Sequence, residues 1–420
     1  MTIRHQPAIA RSSWLASPAA GPAYPGPPLL ARRGGCPGNV KETSRWHASQ
    51  VSIRKLGVEE EFLLVEPSTG EAQAVAGAVM QAAAAEDGAL TGQHPHYLEF
   101  ELQEQQLEIN TKPCASIDDL GREVVWCRAA AAEAAAKVGA GLAALGTSPL
   151  PVHPSITGTG RYHRMAEAFG ITADEQLTCG CHVHVDVCSD EEGVAVVDRI
   201  QPWLAALLAL SANSPFWQGR DSAYASFRYQ AWGRWPCSGP TTSFGSAQAY
   251  TGAVQAMIDT STVLDAGMVY FNARLSERYP TIEVRIADVC LFPNDAVLIA
   301  ALVRALVETE AQSWRDQGSE LVGRPEVLRL AAWRASRSGM DSVLIHPVTG
   351  MPAPAEQVVM ALRDHVRPAL EAAGDYPAVV ELLEAVLSRG NGARFQRNAY
   401  RKTHSLLDIV SGALERTVPK

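Results

Sequence analysis

One stretch, residues 177–187 (LTCGCHVHVDV), constrains the fold of this chain more than any other. Its residues sort by parity. Cys179, Cys181, Val183, Val185 and Val187 fall on one side, and Gly180, His182, His184 and Asp186 on the other. Successive side chains of a β-strand point to opposite sides, so this alternation predicts a strand with one apolar and one polar face. Two imidazoles and a carboxylate on such a face could hold a metal ion or orient a polar substrate. The simpler account is an exposed face with incidental histidines, and three further stretches argue against it.

Residues 57–65 (GVEEEFLLV) set Glu59 and Glu61 with Gly57 on one face and Val58, Phe62 and Leu64 on the other, with Glu60 interrupting the apolar side. In residues 97–110, Leu98, Phe100 and Leu102 alternate with Glu99, Glu101 and Gln103, and the apolar parity then flips to Leu107 and Ile109. This reads as a strand pair or one bulged strand, and a one-residue bulge would bring Glu101 and Glu108 onto one face. Residues 281–290 set Ile282, Val284 and Ile286 against Glu283 and Arg285.

The other segments complete an outline. A Pro-Ser-Thr-Gly turn after residue 66 predicts a hairpin, with its second strand starting at Glu71. Ser116 is placed to cap a long helix reaching about Leu145, kinked near Gly139 and Gly141. Residues 146–155 read as a loop, 161–170 as a short helix and 191–210 as an amphipathic helix. Residues 211–240, dense in aromatics and arginines, read as one long loop. A helix over 247–259, a strand over 267–275 and a helix capped by Asn294 follow, and the remainder is helical. Strands early and helices late predict an α+β fold.

The first 50 residues differ from the rest: no acidic residue precedes Glu42, proline is frequent and apolar periodicity is absent. Disorder is expected there, with residues 51–420 forming a single domain. Translation starting near Val51 is the alternative. The Arg32-Arg33 pair lacks the apolar run of an export signal. Net charge is −9, which argues against nucleic acid as a partner. The eight cysteines show no CxxC spacing, which fits a reduced, cytoplasmic chain. No run attains the roughly 18 uncharged apolar residues of a membrane span.

Carboxylates contributed by four strands would repel one another unless cations lie between them. A mostly oxygen donor set favours Mg²⁺, or Mn²⁺ with its greater tolerance of histidine. Such sites often clamp phosphates during phosphoryl transfer. Neither GxxxxGK[ST] nor a GxGxxG opening a helix after a strand is present. His182, His184 and Asp186 would equally suit a zinc-dependent amide hydrolase. Residue chemistry therefore leaves both enzyme classes open, along with a catalytically inert binding protein.

Taken in order, GVEEEFLLV (57–65), ELQEQQLEINTKPC (101–114), CGCHVHVDV (179–187), SANSPFWQGRDSAYASFR (211–228) and RYPTIEVRIAD (278–288) resemble the type 2 glutamate–cysteine ligase family, the YbdK-like carboxylate–amine ligases. The likeness runs from about residue 54 to 410. Cys181 and Asp186 depart from it, as do Ser222-Ala223 where Thr-Gly is common. The resemblance implies a glutamine-synthetase-like twisted antiparallel sheet, forming an open funnel backed by helices. It implies an ATP- and Mg²⁺-dependent enzyme (Mn²⁺ being an alternative) that joins glutamate or a similar acid to cysteine or another amine through an acyl phosphate. Oligomeric state is open, a homodimer included.

Carried over by motif, Glu59, Glu61, Glu101, Glu108, His182 and Glu283 are the expected metal ligands. Arg285, beside Glu283, is expected to stabilise the transferring phosphoryl group. Arg228 and Arg278 are candidates for substrate carboxylate or phosphate, and His184 for the nucleotide. Arg394 and Arg397 are candidates to reach over the funnel toward ATP. A structural ion pair is the competing account for Arg228, Arg278 and His184, and a solvated helix end for Arg394 and Arg397. Trp217, Trp232 and Trp235 are expected to pack the 211–240 segment rather than stack on adenine.

Overall fold

Strand β1 (Leu56–Val65) uses both of its edges and both of its faces. The computed structural model describes residues 53–85, 97–158, 160–321 and 323–418. The expected extension over 1–50 and the start near Val51 lie outside the described residues. After β1 come β2 (Leu98–Phe100), β3 (Gln106–Asn110), β4 (Gly141–Ala143) and β5 (Gly180–Asp186). A two-residue ribbon, β6 (Phe216–Trp217) with β7 (Arg220–Asp221), precedes β8 (Ala273–Leu275) and β9 (Thr281–Asp288). Apart from the ribbon, these strands make one seven-stranded sheet in the order β2-β3-β1-β5-β9-β8, with β4 paired to the end of β1. All of its pairings are antiparallel.

The predicted alternation sorts the two sheet faces. Val58, Cys181, Val183, Val185, Ile282, Val284 and Ile286 pack into a core with the helices Asp190–Ser211 and Pro293–Arg315. Each fully buried aliphatic side chain contributes about 1.5–3 kcal/mol, so this layer is a main source of the fold's stability. Glu60, on the apolar side of β1, is accommodated by Arg128 of the helix Ile117–Lys137. Both side chains are fully buried, and the guanidinium donates to the two Glu60 oxygens at 2.5 and 2.8 Å. Arg128 also donates to the carbonyls of Cys290, Leu291 and Thr417, so no buried charge is left uncompensated.

Several local expectations are corrected. The turn after residue 66 forms, but the strand from Glu71 reduces to one bridge, Val65 to Ala72, because β3 and β4 already occupy the edges of β1. Ser116 caps its helix as expected, accepting the Asp119 N–H at 3.1 Å. That helix ends at Lys137 rather than near Leu145, because Gly139 adopts φ +79° and releases the chain into β4. Residues 97–110 are a strand pair, with no bulge: the parity flip comes from the turn between β2 and β3. The register shift in the sheet falls instead between Cys181 and Val183 of β5.

The helix Asp190–Ser211 is buried on nearly all sides rather than amphipathic. Among the described residues it alone has the length and apolarity of a membrane span, yet 89% of its apolar window is buried inside the fold. Phe292, not Asn294, occupies the N-cap before Pro293, whose fixed φ suits the first helical position. Of the expected 267–275 strand only Ala273–Leu275 joins the sheet, after a 3₁₀ turn over Ala266–Met268 and a single bridge from Phe271 to Gly239. The 211–240 segment holds the ribbon and the helix Phe227–Trp232, and is tied down by Asp288 accepting from the Ser214 and Ser226 hydroxyls at 2.6 and 2.7 Å.

Candidate active site

Register determines which polar side chains meet on the open face of the sheet. Glu59 lies opposite His182, His184 opposite Glu283, Glu283 opposite Arg274, and Glu61 opposite Glu108. Glu101, in the turn after β2, joins Glu108. All six expected metal ligands line one cleft of about 430 Å³. Three overlapping sets, Glu59–Glu108–His182, Glu59–His184–Glu283 and Glu61–Glu101–Glu108, each bring their ligand atoms within 4.8 Å of one another. His184, expected beside the nucleotide, is therefore a candidate ligand as well.

This donor set fits divalent cations. It is mostly carboxylate oxygen, and Glu61, Glu101 and Glu108 crowd their like charges together in a buried place. Burial, with the Glu61 charge nearby, pushes Glu101 up to about 7. Burial and the neighbouring Glu59 and Glu101 carboxylates hold Glu108 well above the usual range. Burial also raises Glu61. At Glu59 burial is outweighed by His184, at 3.0 Å, and His182, at 3.2 Å, acting together, which keeps that carboxyl well below the usual range. Burial and Arg285 push His182 down to about 4, so its imidazole is neutral near pH 7. Its Nδ1 is 3.2 Å from Glu59, which assigns the proton there. Nε2 is left buried, without a hydrogen bond and 3.7 Å from Glu61, as a metal-binding nitrogen would be.

A model of the family described as glutamate-cysteine ligase family 2 matches residues 55–417. The chain belongs to this family. A Streptomyces coelicolor protein provisionally named glutamate–cysteine ligase 2 is 53% identical over 365 residues, spanning 87% of this chain and 99% of the relative. A relative from Paenarthrobacter aurescens, with a similar provisional name, is 44% identical over 88% of this chain and 96% of its own length. Two solved structures share the fold at low identity. They are a Francisella tularensis glutamate–cysteine ligase in complex with AMP (TM-score 0.62, 15% identity, 88% of this chain and 90% of that one) and a bifunctional glutathione synthetase from Pasteurella multocida (TM-score 0.62, 16% identity, 87% and 52%). The expected α+β, glutamine-synthetase-like open sheet backed by helices is thus the observed fold, and the family is one of ligases.

The other expected site residues are spread more widely. Arg285 lines the cleft, bonded to Glu283 and with its Nε buried and unbonded. Arg278 stands at the exposed rim, 3.3 Å from Glu99. Arg228 is fully buried outside the cleft lining, donating to the carbonyls of Arg285 and Ile286 at 3.4 and 3.5 Å. Arg394 and Arg397, on the helix Gly392–Thr403, also lie outside the lining and pair with Asp341 and Asp221. The HxHxD set does not assemble. Asp186 is half-buried near Lys55 and lines no part of the cleft. Trp232 and Trp235 do line it, while Trp217 packs on Phe227.

Two contributors escaped the sequence reading. Arg274 reaches Glu283 from β8 at 2.7 and 3.2 Å, a contact visible only once the β8–β9 register is known. Gly180 donates its N–H to Glu61 at 2.6 Å, and a Cβ there would collide with the Arg228 guanidinium. Its signal was available, since a glycine inside a strand marks a close approach.

Proposed function

We propose that the protein is a cytoplasmic, ATP- and Mg²⁺-dependent carboxylate–amine ligase that forms a γ-glutamyl amide through an acyl phosphate. The observation carrying this reading is the convergence of the three ligand sets, sharing Glu59 and Glu108, in one cleft. Bound there, divalent cations would neutralise the phosphate oxygens and the charge that moves between them. Glu59, Glu61, Glu101, Glu108, His182 and Glu283 would hold them, with Mn²⁺ as an alternative to Mg²⁺. A side-chain carboxylate oxygen of glutamate, or of a similar acid, attacks the γ-phosphorus of ATP and ADP leaves. The nitrogen of cysteine or another amine then attacks the acyl carbon, phosphate departs, and the ammonium proton is lost to solvent.

Within that sequence the protein's own part is placement and charge. The unbonded Nε of Arg285 is a donor available to the transferring phosphoryl oxygens. Arg278 at the rim is available to an incoming carboxylate or phosphate. Buried Arg228 acts through others, lying against Gly180 and favouring the ionised form of Glu61. The decisive experiment is an ADP-release screen of acid and amine pairs with Mg²⁺ or Mn²⁺. Pair-dependent ADP release with amide product is expected, and no release from any pair would overturn the proposal.

A further inference from the structure

Glu283 is contested. It is a candidate cation ligand and also the ion-pair partner of two arginines, Arg274 and Arg285. A cation drawing on Glu283 competes with both. Arg274 keeps other anchors, because its Nη1 donates to the carbonyls of Ala266, Gly267 and Val269 at 3.5, 3.2 and 3.0 Å. Arg285 has no such set. Its Nε is unbonded, the Glu59 and Glu61 carboxylates attract it through their charge, and its guanidinium lies 5.9 Å from the centroid of the Trp232 indole.

The same indole lies 5.8 Å from the Arg228 guanidinium, which donates to the main-chain carbonyl of Arg285. Trp232 is itself held edge-on by Tyr270 at 4.8 Å and by Trp235 at 6.4 Å. A guanidinium is weakly hydrated and settles on an aromatic face, the more strongly when the site is dry. We infer that Trp232 is a positioning residue that holds Arg285 in the cleft, against Arg228, when Glu283 turns to a cation. The inference rests on the ligase reading for the role of Arg285, but the contact can be tested apart from it.

The test compares Trp232→Phe, which keeps a ring, with Trp232→Leu, which keeps apolar bulk alone. Phenylglyoxal labelling of Arg285 is followed by peptide mass spectrometry with Mg²⁺ present and nucleotide absent, and ADP release is measured in parallel. In Trp232→Leu the labelling rate is expected to rise about tenfold and kcat to fall about ten- to thirtyfold, with KM for the acid little changed. Trp232→Phe is expected to restore both to within a few-fold of wild type. A residue that only fills space would leave Phe and Leu alike, and equal labelling in the two variants overturns the inference. Should the Leu variant fail to fold, Trp232→Met takes its place. If wild-type protein releases no ADP, the ligase reading falls while the labelling comparison still decides the contact.

Discussion

Arg274 stands directly across from Glu283 in the β8–β9 ladder, and its guanidinium takes both carboxylate oxygens, at 2.7 and 3.2 Å. This pair fixes Glu283 independently of Arg285. Arg274→Ala is expected to cost about 1.5–3 kcal/mol of stability, as lost bonds to a charged group do. Urea unfolding checks the stability. ADP release is expected to fall at least about tenfold, because a carboxylate displaced by even an ångström misplaces what it binds.

On the proposed mechanism, Glu283→Gln and Arg285→Ala each remove a group facing the charge that moves in the reaction. Both are expected to cut ATP-dependent amide formation at least about a hundredfold. Near-normal turnover in both variants would show that the site is wrongly assigned.

The cleft carboxylates make stability depend on pH. Burial, with the Glu61 charge nearby, pushes Glu101 up from an ordinary 4.5 to about 7. Between those values the folded chain binds more protons than the unfolded one, so metal-free stability falls as pH rises through that window. Cations displace those protons and relieve the repulsion. The rise in Tm on adding Mg²⁺ should therefore be larger at about pH 8 than at about pH 5.5. Calorimetric scans at the two pH values, with and without chelator, would show it, and an equal shift would contradict the coupling.

Glu60 and Arg128 compensate each other in full burial. Arg128→Met strands the Glu60 charge and is expected to cost about 3–5 kcal/mol. Adding Glu60→Leu removes the stranded charge, so the double variant should recover much of the loss in chemical denaturation. A double variant no better than the single one would refute this account.

Asp186 shares strand parity with His182 and His184 but lines no part of the cleft. Asp186→Asn is expected to keep turnover within about twofold of wild type, as surface changes remote from a site do. A large loss, together with tightly bound zinc, would instead favour a hydrolase built on the two histidines and this carboxylate.

The strand faces were legible because a period of two is a local property of the chain. Glu59 with Glu61, His182 with His184, and Glu283 with Arg285 each share a side wherever the strand lies. Glu101 was harder to place. Its approach to Glu108 was expected from a bulge and comes instead from a hairpin turn, since a parity flip cannot by itself distinguish the two. Arg394 and Arg397 stood out as polar arginines in a rich stretch, and their partners Asp341 and Asp221 are remote in sequence.

From the sequence came the alternating strands, the Ser116 cap and the polar strand faces, and its family resemblance implied the open sheet with helices behind it and the six expected ligands, which line one cleft. Tertiary structure decided that Arg128 neutralises Glu60, that Arg274 grips Glu283, that Asp186 lies outside the cleft lining, and that Trp232 lies against Arg228 and Arg285. The division has a physical origin. Side-chain parity and capping act over a few residues, whereas strand order and register bring together groups a hundred residues apart, and no local pattern encodes those pairings.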